Sequence, residues 1–207
     1  VKLKNNSIVN GEVSYNELLN NGQILGKNIT PLQLPVEAQI PIFPMFENGS
    51  LDIKVNRSTI VTLDSGNYRD IRLKAGTTFN PTILRLNGGV YNLANLDIGL
   101  KSRVECLSNC EIRIKQKLKL GSNAFIGPAS NTTLKAKDVL IFVEGINGNS
   151  GNLGATPKAV EIGKNNVIRA TIYVPNGTLL IKKSSEVNGT FIGKDVQIGI
   201  SAVVTNE

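Results

Sequence analysis

The sequence predicts an all-β protein: a single-domain parallel β-solenoid, read as a right-handed β-helix, of about eight irregular coils with an N-terminal strap. Three observations predict it. A short phrase recurs, in which two apolar residues at i and i+2 are followed by a glycine or small polar turn and then another apolar residue. Its copies begin at Leu51, Ile71, Leu96, Leu118, Val160, Leu179 and Val196, at intervals of 20, 25, 22, 42, 19 and 17. The long interval holds one more apolar run, Val139-Leu-Ile-Phe-Val143, which reads as an eighth copy. The second observation is strict alternation in Glu111–Leu120. There Ile112, Ile114, Leu118 and Leu120 alternate with Arg113, Lys115, Lys117 and Lys119, the pattern of a half-buried strand. The third is an excess of turn formers, 20 Gly and 25 Asn, both tolerant of positive φ. A β-sandwich also has many short strands, but it does not require one phrase to return with the same internal grammar.

The elements follow in order. Residues 1–30 form a strand-like N-terminal segment, with Val1-Lys-Leu-Lys4 and Ser7-Ile-Val-Asn-Gly-Glu-Val13 as its apolar runs. Within it Ser14 and Glu17 are spaced as a capping box, which predicts one or two helical turns over Ser14–Leu19. Residues 31–50 carry four prolines in an apolar setting. Proline cannot donate to a ladder, so this stretch is expected to be an extended strap across the surface, or a linker to the coils. Residues 51–207 are the solenoid, with the Gly/Asn-rich stretch 145–158 as a loop off one corner. The predicted core is a set of inward columns: Ile71, Leu73, Leu96, Ile98, Leu118, Leu120, Val160, Ile162, Leu179, Ile181, Val196 and Ile198.

Composition narrows the chemistry. With no His and only two Cys, the chain has no Ser-His-Asp or Cys-His centre, no His-ligated metal site and no four-thiolate site. No catalytic residues, cofactor or metal ligands are expected. Cys106 and Cys110 are spaced C-x3-C, unlike a C-x2-C redox or zinc site. A local disulfide clipping a corner is favoured over two free structural thiols, and it would imply an oxidising compartment. The acids that a polysaccharide-cleaving β-helix would need are scattered. Asp97 and Glu161 share one slot of the repeat but lie two coils apart. No calcium-binding repeat and no flat Thr-x-Thr ladder for ice binding is present. Seven N-x-S/T sequons begin at Asn5, Asn28, Asn48, Asn56, Asn131, Asn176 and Asn188 and leave glycosylation open.

The net charge of +7 admits an anionic partner. Arg72, Lys74, Arg113, Lys115, Lys117, Lys119, Lys135 and Lys137 occupy comparable slots, which reads either as a solvated face that discourages edge pairing or as an anion-binding face. For the latter, anionic polysaccharide or extracellular DNA are the candidate partners, bound non-specifically, since no aromatics are interleaved for base stacking. No stretch is long and apolar enough to span a membrane as a helix. Val1–Asn10 lacks the apolar core of a signal peptide, so the chain is expected to begin beyond a processing site.

The turn phrases Ser65-Gly-Asn-Tyr68, Gly88-Gly-Val-Tyr91, Ile141-Phe-Val-Glu-Gly145, Ala170-Thr-Ile-Tyr-Val-Pro-Asn-Gly177 and Val187-Asn-Gly-Thr-Phe-Ile-Gly193 follow an Asn/Gly-rich opening and a Pro-rich strap. In that order they resemble the β-solenoid domains of PilX-like, pilin-associated proteins of bacterial surfaces. The V-x-G rhythm is more weakly similar to that of bactofilins. The first resemblance implies an extracellular or cell-surface, non-enzymatic module that builds or decorates a filament or pilus-like appendage, with self-association or a pilin-like partner and no catalytic residues. A polysaccharide-binding or polysaccharide-cleaving β-helix is the alternative. For assembly two arrangements stand open: residues 1–30 pair with the open end of a neighbouring copy, or they fold back and cap their own chain.

Overall fold

A computed structural model describes residues 1–30 and 42–206. It is a parallel β-solenoid in which two long sheets run side by side along the stacking axis. The second sheet is nine strands deep, in the spatial order Ile60–Leu63, Thr82–Leu86, Ser102–Cys106, Phe125–Pro128, Val167–Arg169, Glu186–Asn188, Val203–Thr205, Ile8–Asn10 and Gln23–Ile24. Every pairing within it is parallel.

The first sheet has longer strands that turn a corner. In Gly89–Ile98 the register shifts between Leu93 and Asn95, and in Thr171–Ile181 it shifts between Val174 and Thr178. Each such strand therefore contributes two arms, and a full coil has three faces. The same bend explains the 42-residue interval. Val139–Val143 pairs with the first arm of Cys110–Leu120, and Val160–Ile162 pairs with its second arm. The run read as an eighth coil is therefore half of the coil that Val160 completes. Residues 145–158 are the loop between its arms, held by Asn147, which is fully buried. Asn147 donates to Thr178 Oγ1 at 2.7 Å and accepts from the backbone N–H groups of Thr178 and Ala159.

The core columns are those the sequence predicts. Ile71, Leu96, Leu118, Val160, Leu179 and Val196 stand in one register column; Leu73, Ile98, Leu120, Ile162, Ile181 and Ile198 stand in the next. All are buried except Val196, which packs half-buried against the same cluster. Three details differ from the expectation. In the first coil the inward pair is Ile53 and Val55, so the phrase starts two residues later than Leu51, which is exposed. In the second sheet the inward column runs Leu84, Val104, Ile126, Ile168, Val187 and Val204. A one-residue offset thus turns Phe125, Val167 and Val203 outward, as the two-residue side-chain period requires. Phe79, the apolar residue that follows the turn after the Ile71 copy of the phrase, is 93% exposed on a loop.

One corner has its own grammar. Asn6, Ser58, Lys101, Asn123, Asn165, Ser184 and Ser201 all have φ between 53° and 58° and all precede a strand of the second sheet. Asn and Ser are cheap in this left-handed region, because a short polar side chain tolerates it. Two residues before four of them stand Gly99, Gly121, Gly163 and Gly199. A Cβ on Gly163 would come within 2.4 Å of the Gly121 carbonyl oxygen in the coil below. Glycine is needed there for close approach of two backbones.

The N-terminal segment is part of the same stack. Lys2–Leu3 pairs in parallel with Gln197 and Ile198, and Ile8–Asn10 pairs with Val203, Val204 and Thr205. A further half-formed coil, Leu19–Asn20 and Gln23–Ile24, lies outside it. Residues 1–30 thus stack on the end of their own chain in this structure. The expected helix over Ser14–Leu19 is absent: Val13–Ser14 and Leu19–Asn20 are strands. Burying Val13 and packing Leu18 on the core outweighs the capping-box signal. The one helical turn among the described residues is a 3-10 turn over Ala136–Asp138.

Residues 31–41 of the strap lie outside the described residues. Residues 42–50 run along the outer face, from the later coils back to the first. Phe43 packs on Phe142 and Tyr173, with ring centroids 5.9 and 6.1 Å apart. Phe46 is buried, and Gly49 N–H donates to the Tyr68 carbonyl at 3.0 Å.

Three substitutions test this architecture by urea denaturation. Leu118→Ala, in a fully buried column, is expected to cost about 2–5 kcal/mol. Its exposed neighbour Lys119→Ala is expected to stay within about 0.5 kcal/mol. Asn165→Val forces a β-branched residue to φ 54° and is expected to cost about 1–3 kcal/mol.

Candidate functional surfaces

The predicted cationic set is spread over the molecule. The strand Cys110–Leu120 bends after Gln116, so Arg113 and Lys119 sit on different faces. Half of the eight are also engaged, three in ion pairs and one with a backbone carbonyl. Arg72 reaches Asp70 at 3.0 Å and Arg113 reaches Glu111 at 2.7 Å. Lys115 contacts Glu144 at 3.0 Å and Glu47 at 3.8 Å and lies over the Phe46 ring, and the Glu144 contact holds its ammonium above the ordinary lysine pKa. Lys117 donates to the Ile146 carbonyl, and its burial lowers its pKa. Lys119 is exposed, between Asp97 and Glu161 in register. Lys135 precedes the 3-10 turn and Lys137 lies within it, and Lys74 stands at the glycine corner. The expectation of one anion-binding face through these eight is corrected: alternation along one strand does not place residues on one face when the strand turns a corner.

The acids do not converge. Asp97 and Glu161 occupy one outward column but Lys119 stands between them, so their backbones are about 10 Å apart at two coil steps. Glu105 is the buried carboxylate of the second sheet. It lies between Arg85 at 3.4 Å and Arg103 at 2.7 Å and serves as their shared counter-ion. No group of three or more Cys, Asp or Glu able to hold a metal occurs among the described residues. No helix there is long and apolar enough to cross a membrane.

Cys106 and Cys110 flank one corner, Cys106 ending a strand of the second sheet and Cys110 starting one of the first. Both are buried free thiols, which corrects the expected bridge between them. Each fills an inward slot of its own column, Cys106 between Leu86 and Pro128, Cys110 between Gly89 and Val139, where a thiol packs as a small apolar group. The hydrogen bond to Cys110, with burial, pushes the Cys106 thiol above the ordinary thiol range.

One cationic cluster escapes sequence reading. Lys2, Lys4, Lys164, Lys182 and Lys183 line a cleft of about 290 Å³ where the N-terminal coil docks on the coil ending at Ile198. Its floor is Gly199, whose missing Cβ would lie 2.7 Å from the Lys183 backbone nitrogen. Gln197 stands in register between Leu180 and Lys2. Lys182 meets Glu161 at 3.4 Å; among the described residues none of the other four has a carboxylate within ion-pair distance. The two ends of the chain build this site together, so no local pattern announces it. The paired Lys182-Lys183, one coil after Lys164, was its only trace.

Both thiols of the native protein are expected to resist alkylation at pH 8, because both are buried and the raised pKa of Cys106 keeps its thiolate scarce. In denaturant without reductant, both should alkylate, as read by mass. Comparison with known proteins finds no matching family model, no matching curated protein and no matching solved structure.

Proposed function

We propose that the protein is a non-enzymatic, extracellular structural or adhesive module that builds or decorates a surface filament. The observation that carries this reading is the pair of open ends. At one end the outer edges of Ile53–Val55 and Ile60–Leu63 have no partner strand among the described residues; at the other, those of Leu19–Asn20 and Gln23–Ile24 have none. Exposed apolar side chains accompany them, Leu51 and Ile60 at the first end, Leu19 and Leu25 at the second. Unpaired edges of this kind template further β pairing.

The two ends match. Each presents one strand of each sheet, and all pairings between the sheets' strands are parallel, so the second end of one copy continues into the first end of the next. Such a contact is heterologous and does not close, which gives a fibre. The cell-surface setting rests on the resemblance of the turn phrases to pilin-associated solenoids. Self-association is the partner this geometry favours.

Electron microscopy and sedimentation test the reading. The wild-type chain is expected to form fibres above a threshold concentration. Ile60→Lys alone and Leu25→Lys alone should each remain monomeric, and their equimolar mixture should stop at dimers, since one intact interface survives between them. A wild-type chain that stays monomeric at millimolar concentration, or fibres undiminished in both variants, overturns the proposal. Incubation with acidic polysaccharides is expected to release no products; turnover would refute the non-enzymatic part.

A further inference from the structure

The geometry points to the lysine cleft as a binding site for an anionic polysaccharide, a chain bearing carboxylate or sulfate groups. This inference is independent of the filament reading. The cleft is elongated along the stacking axis. Lys164, then Lys182 and Lys183, then Gly199 and Ile200, then Lys2 and Lys4 come from four successive coils. Three coil steps span about 14 Å. Cations spread over that length fit a linear ligand with several charges better than one compact ion.

The cleft's chemistry selects among linear polyanions. All five cations are lysines, which act as point charges without the planar fork of arginine. No aromatic and no arginine lines the cleft, so nucleic-acid bases find nothing to stack on. Gln197 offers an amide that donates and accepts, suited to sugar hydroxyls. Leu180 and Ile200 supply apolar wall for the C–H faces of a sugar ring. A polyhydroxylated polyanion satisfies all three features together.

The site is composite, and this gives the proposal a second consequence. Lys2 and Lys4 belong to the N-terminal coil, while the other three lysines belong to the coils on which it docks. A bound polyanion therefore bridges the seam and offsets the repulsion among five ammonium groups there. Binding stabilises the docked form by mass action.

The test uses the full-length chain and calorimetric titration with an oligomeric polyuronate at low salt. Neutral dextran, single-stranded oligothymidylate and inorganic sulfate are the comparison ligands. Lys4→Gln combined with Lys183→Gln is compared with Lys135→Gln combined with Lys137→Gln, which removes the same charge elsewhere, after circular dichroism has shown both to be folded. The expected result is polyuronate binding weakened about tenfold or more in the first variant and less than twofold in the second. The slope of log affinity against log salt should fall by about one unit per cleft lysine removed. Polyuronate should also slow amide exchange over residues 2–10 of the wild type. Absence of polyuronate binding, or equal weakening in both variants, overturns the site. Tighter binding of oligothymidylate overturns the ligand class in favour of nucleic acid. Sulfate binding as tightly as the oligomer overturns it in favour of a compact anion.

Discussion

In-register parallel stacking is the constraint on which everything else in this molecule depends. Once Ile71 lies over Leu96 and Leu96 over Leu118, every other position around the coil is assigned to the inside, the outside or a corner. The inward columns are almost wholly aliphatic. Leu93, Ile98, Ile112, Ile114, Leu118 and Ile126 are each at most 1% exposed, and burying a side chain of this kind contributes roughly 1.5–3 kcal/mol. Among the described residues no helix layer covers a sheet, so the columns hold the fold together. Slipping any coil by one residue would turn its apolar set to solvent, and this is why the register is strict where the core is continuous.

The same stacking organises the charges. Lys54, Arg72, Asp97, Lys119 and Glu161 form one outward column in successive coils, with both signs represented. Exposed pairs of this sort contribute little each. From Arg72 to Glu161 the signs alternate, which keeps like charges apart along that stretch and adds to the reasons why the basic residues of Cys110–Leu120 do not make a cationic face. Beyond Glu161 the column continues through Leu180, Gln197 and Lys2 without another acid. There the balance fails and positive charge collects.

The return of the N-terminus shapes both ends of the solenoid. Residues 1–30 extend the stack beyond Val203–Thr205, while the first coil after the strap begins the stack at the opposite end. The described part of the strap runs along the face between them, fastened by Phe43 on Phe142 and Tyr173 and by Lys115 beside Phe46. The capping segment is itself made of open strands, so capping moves the unpaired edge outward by two coils and leaves it unpaired. The seam it creates is the place where three lysines of the late coils meet two from the chain's beginning.

By itself the sequence determined the fold class, the repeat and the twelve inward positions from Ile71 to Ile198, since side-chain alternation within a strand is a local property. The excess of Gly and Asn signalled turns that tolerate positive φ, but not that Lys101 and three Ser residues would share that corner. The tertiary structure alone decided which segments become neighbours. That Val139–Val143 and Val160–Ile162 are arms of one coil depends on both pairing with Cys110–Leu120. That Arg113 and Lys119 face apart depends on a bend whose register shift appears only in the paired strands. That Cys106 and Cys110 both point inward at one corner depends on the columns each one fills. The lysine cleft depends on Lys2 meeting Gln197, nearly the full chain length away. Alternation tells a residue which way to point, but pairing between distant strands is governed by the shape and burial of the whole stack, and no window of sequence contains it.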